Sequence, residues 1–190
     1  MLHGTKEYLA SVFLKSAASE RQIVRKQTPS KAQKDAGNYK KLHIHAHGLR
    51  ISIENPRGSI RSGVSKDGKK WSNTLTHDYG YVRESCANDS DCIDVFLSPR
   101  FRTAKVVHII DQVDPKTGKF DEHKCMIGWD SQEEAKKAYL SNYEKGWQGL
   151  GDVVTLTMAG FKKWVYDELH TKKPAGPVVK KAFLKILIRK

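Results

Sequence analysis

Apolar and polar residues alternate in period two through much of the middle of the chain, a pattern that predicts β-strands. Leu42-His-Ile44-His-Ala46 and Leu49-Arg-Ile51-Ser-Ile53-Glu54 each alternate, with Gly48 between them, so a hairpin or two linked strands are expected. Residues 79–82, 92–97, 104–110 and 123–129 are further short strand-like runs separated by loops. Towards the ends the spacing turns helical. Tyr8, Leu9, Val12 and Phe13 share one face of residues 5–18, and Val179, Phe183, Ile186 and Leu187 repeat at helical intervals in the tail. Ser131 with Glu134 fits a capping box that opens a helix over 130–144. Thr157 is placed to cap a second helix carrying Phe161, Trp164 and Val165.

Between these elements, residues 26–41 are Lys-rich and broken by Pro29 and Gly37, which reads as a linker or loosely held arm. Residues 55–63 and 65–70 read as turns, and Gly146, Gly149 and Gly151 punctuate a loop. No internal repeat is visible. Several short strands followed by helices predict an α+β fold around a small barrel or strongly curved sheet. The expected division is a basic N-terminal extension over 1–41, a domain over 42–170 and a basic amphipathic tail over 171–190.

Composition narrows the class. With 190 residues and 38% hydrophobic content, the chain can bury one core of ordinary size. No window approaches the roughly 18–20 apolar residues of a membrane span, and the first residues lack the features of a secretory signal. Cys86, Cys92 and Cys125 form no CxxC pair, so reduced thiols and a cytoplasmic setting are expected. The net charge of +13 is uneven: residues 1–50 carry +7, residues 51–130 carry none and residues 131–190 carry +6. Cationic ends attract polyanions, nucleic acid among them, or else simply solvate tails and helices.

Several local motifs have a functional and a plain reading. Gly63-Val-Ser-Lys-Asp-Gly68-Lys69-Lys70 nearly spells a phosphate-binding loop, but Lys70 stands where a hydroxyl is needed, and a Lys-Asp-Gly-Lys turn is the better reading. His43, His45 and His47 alternate and would project from one strand face, either as zinc ligands or as polar positions on a half-exposed strand. Cys86 and Cys92 frame an acidic loop without a base beside them, and read as small hydrophobes.

The informative segment is Asp89-Ser-Asp91-Cys-Ile-Asp94-Val, where three carboxylates sit at i, i+2 and i+5 before an apolar run. Like charges that close repel unless a cation lies between them, and hard oxygen donors select Mg2+, Mn2+ or Ca2+. A solvated acidic turn would account for the spacing equally well. Asp111-Gln-Val-Asp114 and Asp121-Glu122-His-Lys124 flank the turn at 115–118, and a hairpin there would carry Asp114, Asp121 and Lys124 towards the first cluster. Carboxylates for metals beside fixed cations for oxyanions are what phosphoryl transfer to water requires.

Tyr79-Gly-Tyr81-Val followed by Asp89-x-Asp91-x-x-Asp94-Val resembles the signature of the soluble inorganic pyrophosphatases. Ile53-Glu54-Asn-Pro56 is similar to the stretch that opens that family's barrel, and Asn142-Tyr143-Glu-Lys145 to its late Tyr-Lys element. Asp114, Asp121 and Lys124 resemble its second acidic segment, here with three residues from Asp to Lys rather than two. More closely still, the chain over roughly residues 36–170 resembles the pyrophosphatase-like domains of phage and mobile-element proteins.

The resemblance implies a five-stranded, oligonucleotide-binding-like β-barrel with flanking helices. It further implies hydrolysis of pyrophosphate, or a related phosphoanhydride, with Mg2+ as cofactor and Mn2+ as a substitute. Asp89, Asp91, Asp94, Asp114 and Asp121 would hold the ions, which lower the pKa of a bridging water. Asp91 would be the general base. Arg61, Lys70, Tyr79, Lys124, Tyr143 and Lys145 would grip the phosphoryl groups, with Glu54 at or just outside the metal site. The chain is shorter than the enzymes between Glu54 and Tyr79, and more basic overall. These departures motivate a second expectation: a hydrolytically impaired relative that binds nucleic acid through its ends, virion-associated if phage-encoded.

Overall fold

The computed structural model describes residues 30–36, 40–64, 68–85 and 92–176. The helices expected over 5–18 and in the tail lie outside these residues, as do Cys86, Asp89 and Asp91. Within the expected linker a short helix forms, α1 (Lys31–Asp35). Ser30 Oγ accepts from the Gln33 N–H at 3.2 Å while Gln33 Oε1 accepts from the Ser30 N–H at 2.9 Å. This reciprocal cap satisfies donors that a helix start otherwise leaves open.

Nine strands follow among the described residues. β1 (Leu42–Ala46) and β2 (Leu49–Asn55) make the expected hairpin, closed by His47 and Gly48, both at positive φ (55° and 75°) as a two-residue turn of this twist requires. β3 (Ile60–Val64) and β4 (Lys70–Thr74) form a separate hairpin from segments expected to be turns. The near phosphate-loop motif therefore spans a hairpin, and no helix follows Lys70 to aim backbone amides at an anion. β5 (Asp78–Val82), β6 (Asp94–Leu97), β7 (Val106–Val113) and β8 (Phe120–Ile127) occupy the four remaining strand-like runs. Then come α2 (Gln132–Leu140), β9 (Leu150–Thr157), α3 (Met158–Trp164) and α4 (Glu168–Thr171).

Both expected caps are present. Ser131 Oγ accepts from the Glu134 N–H at 3.2 Å, and Thr157 Oγ1 accepts from the Gly160 N–H at 3.1 Å. The Glu134 carboxylate takes the Asp130 N–H and Arg100 instead of closing the box on Ser131.

Seven strands share one sheet in the order β1-β2-β5-β6-β8-β7-β9. Among the described residues no ladder joins β1 to β9, so the sheet stays open and the five-stranded barrel is not found. The physical reason lies in the helices. Phe161 and Trp164 of α3, with Val165 just beyond it, bury the face carrying Ile51, Val95, Ile109 and Ile127. On the other face, Ala135, Ala138 and Tyr139 of α2 pack with Phe96, Ile110 and Met126. Helices thus hide the apolar surface that barrel closure would have hidden.

The cysteine and histidine expectations change. Cys92 is disulfide-bonded, so the chain is not uniformly reduced; Cys125 is a free, buried thiol whose pKa burial pushes well up. His43 meets Ser52 Oγ at 3.0 Å, whereas His47, in the turn rather than the strand, meets the Phe101 carbonyl at 2.7 Å. Their separate partners do not assemble a zinc site. No helix among the described residues is long and apolar enough to cross a membrane.

Candidate active site

The second face of the sheet turns polar towards one end, and there the chemistry-bearing side chains meet. β6 and β8 run parallel, with Asp94 opposite Lys124. The chain therefore enters both strands from the same end of the sheet. Period-two alternation along β8 sends Glu122, Lys124 and Met126 to this face and His123, Cys125 and Ile127 to the other.

Lys124 is fully buried. Its ammonium contacts Asp94 Oδ2, donates to Tyr79 Oη at 3.0 Å and lies 2.8 Å from Glu122 Oε1. Tyr79 Oη in turn donates to Asp94 Oδ2 at 2.6 Å. Burial alone would pull the Lys124 pKa down, but attraction to Asp94, reinforced by Tyr79, Tyr143 and Glu122, outweighs it and holds the amine protonated. Desolvation pushes the Glu122 carboxyl above its ordinary value; Lys124 opposes this and repulsion from Asp94 adds to it. The Tyr79 hydroxyl, pushed up first by burial, stays a proton donor.

Arg61 approaches from the separate hairpin. Its guanidinium sits 4.6 Å from the Tyr79 ring centre and 5.3 Å from that of Trp71, and one nitrogen lies 3.4 Å from Tyr79 Oη. Gly63 makes room for this arrangement, since a Cβ there would come within 2.6 Å of the Trp71 ring. Gly80, between the two tyrosines of the motif, is required by packing: a Cβ would land on the Ser52 carbonyl of the paired strand.

Gln112 and three aromatic residues complete the wall. Gln112 Nε2 donates to Glu122 Oε1 at 2.7 Å and to Asp121 Oδ2 at 3.3 Å. Its Oε1 accepts from Tyr139 Oη at 2.7 Å and Tyr143 Oη at 2.9 Å. Trp147 donates to Tyr139 Oη at 2.9 Å and stacks on Tyr143 at 4.8 Å. Burial pushes the Tyr143 hydroxyl up to about 12. Asn142 fixes the position of this segment by accepting from the Thr76 N–H at 2.9 Å and donating to the Ala138 carbonyl at 2.7 Å.

Of the residues singled out in the sequence, the structure brings together Arg61, Tyr79, Asp94, Lys124 and Tyr143, with Asp121 joined through Gln112. The other described ones make different contacts or are exposed. Asp114 accepts from the Lys116 and Thr117 N–H groups and shapes the turn before β8. Glu54 pairs with Lys41 at 2.7 Å. Lys70 and Lys145 are exposed, and alternation puts Lys70 on the hairpin face opposite Trp71. Asp89 and Asp91 are not among the described residues.

Glu122, Gln112, Trp71, Tyr139 and Trp147 were missed. For Glu122 the signal was available: two residues before Lys124, it shares that side chain's face of a strand. Alternation alone sends Asp121 to the other face, and Asp121 reaches the site only through the Gln112 amide beside the register shift. Gln112, Trp71, Tyr139 and Trp147 carry no charge pattern that would single them out.

Asp94, Glu122 and Asp121 offer only oxygen donors, and two of them crowd one ammonium. That chemistry fits a hard divalent cation such as Mg2+. No group of three or more metal-binding side chains is assembled among the described residues, which do not include Asp89 and Asp91.

A family model described as inorganic pyrophosphatase matches residues 31–166. The chain belongs to the inorganic pyrophosphatase family. Among solved structures, it is similar to an inorganic pyrophosphatase from Coxiella burnetii, at 16% identity over 60% of this chain and 88% of that one, with a TM-score of 0.33. No curated protein matches the chain.

Proposed function

We propose that the protein is a hydrolase that cleaves inorganic pyrophosphate to two phosphates with a divalent cation, Mg2+ by preference and Mn2+ as a substitute. Family membership supports the reaction class. The observation that carries the reading is the buried Lys124 ammonium held among Asp94, Glu122 and Tyr79, with Arg61 beside them. Such a constellation pairs hard carboxylates with fixed cations in one desolvated place, where electrostatic stabilisation is strongest.

In this reading Lys124 and Arg61 bind the phosphoryl oxygens by charge-assisted hydrogen bonds and steady charge on the leaving phosphate. Tyr79 and Tyr143, both protonated at neutral pH, brace this group, Tyr79 by donating to Asp94 and Tyr143 by donating to the Gln112 carbonyl. Asp94, Glu122 and Asp121 hold the cation together with Asp89 and Asp91, and Asp91 takes the proton of the attacking water. When bound, the ion neutralises substrate charge and acidifies that water. The narrower kinship with phage and mobile-element domains rests on the sequence over roughly residues 36–170.

The test is colorimetric phosphate release from pyrophosphate with Mg2+, with chelator and with Asp91→Asn. Release is expected only from the parent with Mg2+. An Asp91→Asn variant turning over at the parental rate removes Asp91 as the base, and a parent that releases no phosphate removes the reading.

A further inference from the structure

Resting on that reading, we propose that Gln112 is the positioning residue for the acidic half of the site: its amide aims the Glu122 and Asp121 carboxylates, and an aromatic trio behind it fixes which way the amide faces. Ionised carboxylates only accept hydrogen bonds, so the Gln112 NH2 group must point towards Glu122 and Asp121, at 2.7 and 3.3 Å. Its carbonyl oxygen then faces the two tyrosines, which donate to it at 2.7 and 2.9 Å; the other acceptor at Tyr139 Oη, the Gly149 carbonyl, is farther away at 3.4 Å. The Trp147 N–H can only donate, and it fills the acceptor side of Tyr139 Oη. The shortest contacts from Trp147 through Tyr139 and Gln112 to Glu122 therefore run in one direction.

The packing of the trio around buried Tyr139 holds this direction. Tyr139 is fully buried in the core of this face, Tyr143 lies between it and Trp147, and Gln112 itself is buried. Strand register places Gln112 opposite Glu122, where the pairing of β7 with β8 shifts between Gln112 and Val113. A neutral donor here holds the carboxylate without adding charge. A carboxylate in its place would leave two acceptors facing each other, tolerable only with a cation between them.

Positioning partners of this kind typically govern metal affinity or activity by about 10–100-fold. Calorimetric titration with Mg2+ alone, without substrate, separates this role from a structural one. Gln112→Leu is expected to weaken Mg2+ binding by about 10–100-fold, with kcat recovering at saturating Mg2+. Gln112→Glu, of the same length, is expected to melt lower than the parent without divalent ions and to show a larger rise in Tm on adding Mg2+. Tyr139→Phe, which removes one donor to the amide oxygen, is the milder variant and should weaken Mg2+ binding in the same direction.

Parental Mg2+ affinity in all three variants, whatever their melting temperatures, overturns the proposal. A parent that binds Mg2+ but releases no phosphate overturns the functional reading alone, and the comparison of affinities still decides the role of Gln112. A parent that binds no Mg2+ overturns both.

Discussion

Asp94 and Lys124 face one another across the parallel pairing of β6 with β8, and the lysine has no exposed surface at all. A buried ammonium is tolerated only when its charge is answered, and here Asp94, Glu122 and the Tyr79 hydroxyl answer it together. The cation in turn allows two carboxylates to stand close enough to share one pocket.

Removing it should therefore damage stability as well as activity. Lys124→Met leaves Asp94 and Glu122 facing each other uncompensated, and a loss of about 3–5 kcal/mol is expected, the range for breaking a buried pair from one side. Urea unfolding measures the loss, and phosphate release should fall to background. Unchanged stability would show that the pair is solvated in solution.

The pH dependence follows from the Glu122 carboxyl, whose pKa lies above its ordinary value of 4.5 in the folded chain, chiefly through desolvation. Just above that ordinary value the folded protein keeps a proton that the unfolded chain has released, so stability falls as pH rises through the window. Glu122→Gln removes the titration. In metal-free buffer, the variant should gain on the parent as pH rises from about 4.5 towards neutrality and hold a constant lead above the window. Because the Glu122 side chain is 43% exposed, water limits the size of the effect while its sign stands. Parallel stability curves for the two proteins would contradict it.

Trp71 stacks on the Arg61 guanidinium at 5.3 Å. A half-exposed contact of this kind is worth about 0.5–1 kcal/mol, so Trp71→Ala should raise KM for pyrophosphate by about two- to fivefold with little change in kcat. Trp71→Phe should retain most of the affinity. A fall in kcat with KM unchanged would place Trp71 in a different role.

Gly80 permits the close approach of β5 to β2. Gly80→Ala must push the strands apart, at a cost of about 1–3 kcal/mol for overpacking, and must shift Tyr79 away from Lys124. Thermal melting should show the first effect and reduced phosphate release the second. A variant with the parental Tm would mean that the strands separate without penalty.

The sheet strands other than β9, whose start reads as a Gly-punctuated loop, and both longer helices were legible because one face of each is apolar: the alternation in residues 42–54 and the caps at Ser131 and Thr157 are local signals with local causes. The hairpin of β3 and β4 was not legible, since its strands run through Arg61, Ser62, Gly63 and Ser72, Asn73, Thr74 with no apolar stripe. In the candidate site, charge made Asp94 and Lys124 conspicuous, and period two would have preferred Glu122 to Asp121. Gln112 was beyond reach. An amide acquires meaning only from neighbours that the chain brings from β8, α2 and the loop after it.

On the rear of β7, Asp111 lies 2.9 Å from His123 Nδ1 and accepts from the backbone N–H groups of Ala175 and Gly176 at 3.0 and 3.4 Å. The family match stops at residue 166. A fragment trimmed to that match would strip a buried carboxylate of two of its donors, one residue from Gln112. The recognisable part of the sequence is therefore smaller than the part that packs together, and Ala175 and Gly176 buttress the strand that carries Gln112.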